Sequence, residues 1–415
     1  MKYINSILLS FLLPVSLVAQ PTPILTLDTI LARIESRNLQ LQTYNLRAES
    51  YRHLAEASTG WMAPMAGLGT FMTPYPGQTL MDDRDKGMIM LQAEQSIPNP
   101  AKQRARKRYI QSQADLELAD RPVAYNELRA QAKTSYYNWL VAEKRLQVLK
   151  QNEGILQTMK KIEEVRYPYN QSNLGNIYKM DAKIEENRNM MRMEEGNILR
   201  ARALLSGLMN SPGDTSYRID TLSEPKLDLV QIIDTSKIAF VRKDIGRMDQ
   251  NIRSMQLNIA SMLMEKKPEF RIRFDHMNPL GAMMPKAFSV MGMVTIPIAP
   301  WSSKMYKSEI RAMEYNVLAM EKERSAMLQE TQGMLFGMQN EILAMQKKIN
   351  GIELKIIPAL QKAMDVNFLT YQENKLSLTE LVDTWEGLTM MKMELLDDKQ
   401  RLFQMYTDYE KQLYR

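Results

Sequence analysis

The sequence predicts a mainly α-helical chain with a small β part and an internal duplication. One stretch occurs twice, at residues 89–108 and 288–311: β-forming residues end at an Ile-Pro pair, a second proline follows, and a basic amphipathic helix begins. From there each copy continues for roughly 65 to 70 residues with almost no helix breaker, which corresponds to a helix about 100 Å long. Only 17 of the 415 residues are glycine, as expected of a chain dominated by helix.

Composition and charge exclude several classes of protein. The chain is 45% hydrophobic, too apolar for wholesale disorder, and its net charge of +6 comes from basic residues interleaved with acidic ones. We therefore expect no nucleic-acid partner. The absence of cysteine excludes disulfides, a thiolate metal site and a lipid-anchored cysteine. The two histidines, His53 and His276, are far apart and no glycine-rich phosphate loop is present, so we expect neither an enzyme nor a bound cofactor.

The first residues are typical of a cleaved secretory signal. Lys2 supplies a short basic end, residues 7–18 are mainly apolar, and the small residue Ala19 precedes the expected mature start at Gln20. The alternative is an anchoring helix, but Pro14 and two serines interrupt the run, which is short for a membrane span. We therefore expect an exported protein.

The chain divides into two repeats with the same order of elements: a helix, a strand pair and a long helical hairpin. We place the signal peptide, first repeat, turn-rich linker and second repeat at 1–19, 20–210, 211–230 and 231–415. The strand pairs are predicted at 61–73 and 87–97, and at 268–277 and 287–298. Pro122 lies within the first long helix and is expected to bend it without separating domains.

Each predicted strand has an apolar and a polar face and about the ten residues that a tilted membrane strand needs. A sheet in lipid must close on itself because every backbone polar group there needs a partner. Four strands cannot close, so we expect three chains to complete a twelve-stranded transmembrane β-barrel. In that case Arg271 and Arg273, on the polar face of the third strand, line a water-filled lumen. The alternative is a small soluble sheet with one face packed on a helix.

Helices of this length must bury a stripe against neighbouring helices, because their own hydrogen bonds do not stabilise them sufficiently. Methionines spaced by seven residues form a coiled-coil type seam with neighbouring apolar residues: Met313, Met320, Met327, Met334, Ile310, Val317, Met338 and Met345. Arg324 and Thr331 interrupt this seam. A partly polar seam fits an α-barrel, a hollow tube in which each hairpin helix has a packed side and a wet side.

Over almost the whole mature length the sequence resembles the TolC-type outer-membrane efflux proteins. The opening LTLDTILARIESRNLQLQ is similar to the first helix of that family. The strand–proline–helix junctions at 96–102 and 295–304 resemble its CusC-like, heavy-metal efflux members, and residues 166–179 and 371–383 resemble its periplasmic hairpin turns.

This resemblance implies a homotrimer whose outer-membrane barrel continues into a helical tunnel across the periplasm of a Gram-negative bacterium. The tunnel would dock on a periplasmic adaptor (membrane fusion) protein and an inner-membrane pump, expected to be of the resistance-nodulation-division type. The chain would then be the passive exit duct of a tripartite efflux system, with Cu(I), Ag(I) or other heavy-metal ions among its candidate cargoes. A second hypothesis is an exported coiled-coil structural or adhesion protein without pore activity.

The resemblance also indicates candidate residues at the hairpin turns. Asn170 and Asn374 stand where the family has glycine, and asparagine tolerates the left-handed backbone conformation; these turns would dock the adaptor. Glu380 and Asp383 match acidic rings that narrow the periplasmic entrance, and Tyr371 matches an aromatic gate residue. Three carboxylate pairs around a threefold axis would favour cations. Alternatively, Glu380 and Asp383 are ordinary solvated acids in the first turn of a helix. A basic residue expected nearby is Leu376 here, which puts the family's closing bridge in doubt.

The 34 methionines are far more than usual, and two clusters occur at equivalent places in the return helices. Met190 and Met193 belong to the first cluster, and Met390 and Met393 to the second. Thioethers are soft ligands that suit Cu(I) and Ag(I), and a spacing of three residues brings two sulfurs to one helix face. The alternative is that these methionines are flexible packing residues. We expect no firm metal site and treat these four residues as candidates for transient metal contact.

Overall fold

The computed structural model describes residues 24–214, 216–221, 223–227, 229 and 234–415. The signal predicted at 1–19 lies outside these residues, as does part of the linker predicted at 211–230. The described chain is mainly helical with a small sheet, which confirms the predicted fold class.

Within the described residues there are nine α-helices. They are α1 (Leu27–Arg37), α2 (Leu39–Ala57), α3 (Pro100–Arg166), α4 (Leu174–Leu208), α5 (Thr235–Val241), α6 (Lys243–Leu263), α7 (Pro300–Gly351), α8 (Ile357–Gln372) and α9 (Leu378–Gln412). The 67 residues of α3 correspond to about 100 Å of helix. Pro100 occupies the first turn of α3, where its missing N–H costs nothing, and the Asn99 side chain accepts a hydrogen bond from Ala101 N at 2.9 Å.

The strands of the described chain form two sheets. They are β1 (Ile24–Leu25), β2 (Met65–Phe71), β3 (Met88–Ile97), β4 (Arg218–Ile219), β5 (Phe270–Pro279) and β6 (Ala287–Val294). Strands β1 and β4 form a short parallel pair, while the other four form an antiparallel sheet in the order β2-β3-β5-β6. Hairpins β2–β3 and β5–β6 come from the two halves of the chain, and β3 pairs with β5 to join them.

The two prolines inside the long helices have different consequences. Helix α3 continues through Pro122 as one helix, so no boundary between domains falls there. The second long helix was expected to run without a break to about Phe368, but α7 ends at Gly351 and a π-helical segment, Ile352–Ile356, leads into α8. Pro358 lies two residues after this segment. In a regular α-helix its ring would clash with the backbone carbonyl four residues earlier, and the wider π-helical turn relieves that clash.

The buried stripe of α7 differs from the seam predicted from the methionines. Its closely packed residues are mainly aliphatic: Ile310, Val317, Leu328, Leu335, Ile342 and Ile349. Met313, Met320 and Met327 are only half-buried, and Met334 is exposed. The aliphatic residues and the methionines both recur at about seven-residue spacing, on adjacent faces of the helix. The spacing alone therefore did not show which of the two sets is buried.

Helix α3 is the centre of the helical layer. It packs against α2, α4, α6 and α9, while α9 also packs against α7 and α8. One buried cluster around Trp139 and Tyr409 surrounds the middle of α3, and a second, around Tyr371 and Trp385, lies near the ends of the hairpins. Within the described chain, we find no helix whose length and apolar character would suit a bilayer crossing.

Candidate functional site

Both hairpin turns end their first helix in the same way. Asn170 has φ 57° and Asn374 has φ 61°, so each asparagine adopts the left-handed conformation. Asn170 N donates to Tyr167 O and Gln171 N to Arg166 O, both at 3.1 Å. The second turn repeats this pattern: Asn374 N donates to Tyr371 O at 2.9 Å, and Lys375 N donates to Thr370 O at 3.0 Å. These are Schellman motifs, and an asparagine fills the position that usually requires glycine.

Arg166 clamps the two turns together at the end of α3. Its Nη2 donates to the backbone oxygens of Tyr371 at 2.5 Å and Gln372 at 3.1 Å. Its guanidinium carbon also lies 4.5 Å from the centre of the Tyr371 ring. The planar guanidinium of Arg166 thus binds two backbone carbonyls in the last turn of α8. It also stacks on the ring of Tyr371 in the same turn.

A buried carboxylate completes this clamp. Glu163, only 2% exposed, accepts hydrogen bonds from the Tyr371 hydroxyl and the Ser172 hydroxyl, and from Asn176 Nδ2 at 2.9 Å. Burial, and then the hydrogen bond and negative charge of Glu163, raise the pKa of Tyr371, so the phenol stays protonated and donates. Sequence reasoning singled out Tyr371 but missed Glu163 and Arg166. The only local signal was a charged pair three residues apart at the end of α3.

The two predicted entrance acids lie on the exposed surface of α9. Glu380 forms a capping box with Ser377: its carboxylate accepts from Ser377 N at 3.1 Å, and Ser377 Oγ accepts from Glu380 N at 3.3 Å. The hydrogen bonds from Ser377, chiefly that of its backbone, lower the pKa of Glu380. Asp383 lies one turn further along and is exposed. Tyr371 is buried, so the structure does not bring it together with these acids on one surface.

Arg271 and Arg273 share one face of the four-stranded sheet with acidic partners. Arg271 pairs with Glu94 at 3.0 Å, and Arg273 pairs with Asp275 at 2.8 Å. Both carboxylates are more than nine-tenths buried, whereas Arg271 is exposed. The strand register places Glu94 directly opposite Arg273. This face is therefore polar and charge-compensated.

The opposite face of the sheet is apolar and uncovered. In register, Phe274 lies between Ala93 and Val290, and its ring stacks with Phe288 at a centroid distance of 6.2 Å. The exposed apolar residues of this face are Leu68, Leu91, Phe270, Ile272, Phe274, Phe288, Val290 and Val294. A contiguous exposed surface of this kind indicates contact with lipid or with another protein.

Three of the four candidate methionines meet in one groove. Met190 and Met193 of α4 and Met393 of α9 line it together, and we call this the methionine groove. Met390 is 67% exposed and is not among its lining residues. Among the described residues, no group of three or more histidine, aspartate or glutamate side chains is arranged to hold a metal ion.

Comparisons with known proteins agree with this architecture. No protein-family profile and no curated protein sequence matches the chain. Solved structures do: CusC, known for conformational changes during transmembrane channel formation, is 14% identical with a TM-score of 0.75, over 93% of this chain and 91% of CusC. The outer-membrane protein VceC of Vibrio cholerae is 13% identical with a TM-score of 0.69, over 93% and 95%. The open MtrE channel of Neisseria gonorrhoeae is 15% identical with a TM-score of 0.69, over 95% and 89%.

The chain therefore has the fold of the TolC-type outer-membrane efflux channels, as the sequence predicted. The three channels differ little in identity to this chain, from 13% to 15%, so assignment to the heavy-metal branch stays a prediction.

Proposed function

We propose that this protein is the outer-membrane exit duct of a tripartite efflux system. One observation carries the proposal: a chain with the fold of such channels presents a four-stranded sheet whose apolar face is bare and whose other face is charged. Lipid would cover the apolar side and water the polar side, where Arg271 and Arg273 would line the lumen. The duct conducts passively and catalyses no reaction.

The state that conducts is a homotrimer. Strands β2 and β6 are the two edges of the sheet, and an edge in lipid leaves backbone N–H and C=O groups without partners. Pairing β6 of one copy with β2 of the next satisfies these groups. Three copies give a closed barrel of about twelve strands, within the range of natural membrane barrels. The long hairpins then form the wall of a periplasmic tunnel.

The hairpin ends are the proposed docking site for a periplasmic adaptor. The turns around Asn170 and Asn374 are exposed, and Arg166 holds them side by side, so they present one rigid surface. The adaptor would connect the duct to an inner-membrane pump, for which we propose the resistance-nodulation-division type. No nucleic acid takes part.

Fractionation and conductance test this proposal. The mature protein is expected in the outer membrane of a Gram-negative bacterium, as a trimer that migrates as a monomer after heating, and it should form steady conducting pores in planar lipid bilayers. Recovery as a soluble periplasmic monomer without pore activity would overturn the proposal and favour the exported coiled-coil structural or adhesion protein.

The entrance acids allow a sharper test of the pore. Glu380→Gln with Asp383→Asn removes the charges but keeps an acceptor for the cap at Ser377. We expect the reconstituted pore to lose most of its cation preference, measured as the reversal potential in a KCl gradient, with only a small fall in the thermal unfolding midpoint.

Glu380→Ala with Asp383→Ala is the matched comparison. It should lose the same cation preference and also lower the unfolding midpoint, because the capping box is broken. Unchanged selectivity in both double variants would mean that the two acids face away from the pore axis and serve only the helix.

For the cargo we propose soft monovalent metal ions. A strain lacking the protein should become more sensitive to copper and silver than to organic drugs. Equal loss of tolerance to all three would reject metal as the main cargo without rejecting the duct.

A further inference from the structure

Methionines from two helices line the methionine groove. Met190 and Met193 are three residues apart on α4 and share a face of that helix, and Met393 comes from α9. The remaining lining residues are mainly acidic or small: Ala182, Glu185, Glu186, Asn189 and Glu194. Glu185, Glu186 and Glu194 each form an ion pair with a nearby lysine or arginine, so the groove presents neutral sulfur ligands within a charge-compensated polar surface.

Ion pairs hold the two walls of the groove at both ends. Toward the hairpin turns, Lys183 of α4 pairs with Glu386 of α9 at 2.9 Å. Lys183 precedes Met190 by seven residues, and Glu386 precedes Met393 by seven residues. At the other end, Arg145 of α3 lies 2.5 Å from Asp397 of α9 and 3.8 Å from Glu194 of α4. The first pair joins α4 to α9 directly and the second joins both helices through α3, so the two helices are held beside each other along the groove.

Met393 packs in part against the main buried cluster, but packing does not explain why Met190 and Met193 are methionine. Met159 and Met180 are fully buried in the cluster near the turns, where a flexible apolar side chain fills the core. Met193, in contrast, is 69% exposed, and Met190 is only half-buried. A methionine side chain that remains in contact with water contributes little to the stability of the monomer. The ability of its sulfur to bind a metal ion is therefore the more informative property.

The groove borders the face of α9 that carries the proposed entrance acid Asp383. Asp383, Met390 and Asp397 are exposed and recur every seven residues, which places them on one face of the helix. The α9 residues at the groove, Glu386 and Met393, follow Asp383 and Met390 by three residues and so occupy the neighbouring face. In the proposed duct, where Asp383 lines the entrance, the groove would lie next to the tunnel wall above it.

We propose that the methionine groove is a binding site for a soft monovalent metal ion, Cu(I) or Ag(I), on its way through the tunnel; the role as a transit site depends on the proposed duct. Thioethers bind such ions and discriminate against hard divalent cations, which prefer oxygen. Neutral sulfur also releases the ion more readily than a thiolate does. The site thus concentrates the ion without trapping it.

Silver binding to the purified full-length mature chain tests the site, with Ag⁺ as the probe because it needs no reductant. Met190→Leu, Met193→Leu and Met393→Leu together keep the groove apolar at nearly the same volume. We expect this triple variant to bind Ag⁺ at least tenfold more weakly in equilibrium dialysis. The silver–sulfur signal in X-ray absorption should fall with it.

The matched control replaces three exposed methionines elsewhere: Met81, Met283 and Met305. Its Ag⁺ affinity should stay within twofold of the unaltered chain. The single variant Met193→Leu, at an exposed position, covers the case in which the triple variant does not fold, and should bind about threefold more weakly. Ag⁺ affinity unchanged in the groove variants, or lowered equally in the control, would overturn the proposal.

The measured Ag⁺ affinity does not depend on whether the chain forms a pore. All three methionines belong to one chain, so binding can be measured on a monomer. Loss of Ag⁺ binding in the groove variants, with conductance intact, supports the site. Failure to form a trimer or a pore would reject the duct but would leave the measured affinity as evidence for or against the groove.

Discussion

Replacing Phe274 by arginine should keep the protein out of the outer membrane. Phe274 lies near the middle of β5, on the uncovered apolar face, and its ring stacks with Phe288. A lipid-facing arginine near the bilayer midplane costs about 2–4 kcal/mol, and a trimer would incur this cost in every copy. We expect at least a tenfold loss of heat-modifiable trimer in the outer-membrane fraction, measured by quantitative immunoblotting.

Gln92→Arg provides the matched control for this substitution. Gln92 is on the polar face of β3, directly opposite Asp275 in the register. A new arginine there meets water and a carboxylate, so trimer yield should change less than twofold. Equal loss in both variants would contradict the assignment of one face to lipid and the other to water.

Removing the clamp at the hairpin ends should open the pore. Arg166→Ala deprives the Tyr371 and Gln372 carbonyls of a charged donor, whose hydrogen bonds typically contribute about 1.5–3 kcal/mol, and it removes the stacking on Tyr371. Because Arg166 connects α3 to α8, the two turns should separate more often. We expect at least a twofold rise in single-channel conductance and faster amide exchange at residues 371–377.

Arg188→Ala tests whether the effect is specific to the clamp. Arg188 is an exposed arginine on α4 that pairs with Glu153 at 2.8 Å, a contact of the kind that contributes little to stability. Its conductance and exchange should match those of the unaltered protein. Identical conductance in the Arg166 and Arg188 variants would mean that the clamp does not restrict the entrance.

The strand faces were predictable because backbone geometry alone determines them. In β5, Phe270, Ile272 and Phe274 alternate with Arg271 and Arg273, and the period of two in an extended strand assigns them to opposite sides. The long helices were predictable for a similar reason, since few breakers interrupt them. The left-handed asparagines of the turns also follow from local chemistry.

The contacts between hairpins were not predictable in this way. The bonds from Tyr371 to Glu163 and from Arg166 to the end of α8 depend on how one hairpin lies against the other, and no local spacing encodes that arrangement. The placement of Met393 and Met190 in one groove depends on the same arrangement of the hairpins. The π-helical segment had a visible cause in Pro358, but its position depends on how the surrounding helix accommodates the strain.

If the chain is the proposed outer-membrane duct, the ladder between β3 and β5 also limits when it can enter the bilayer. Ile97 pairs with Phe270, so the middle of the sheet exists only after the second half of the chain has been translocated. The first half alone contributes a single β-hairpin, which is at best marginally stable in water and leaves both edges unpaired in lipid. In the proposed duct, assembly into the bilayer would therefore wait for the whole chain, and a product that ends before β5 would form no pore.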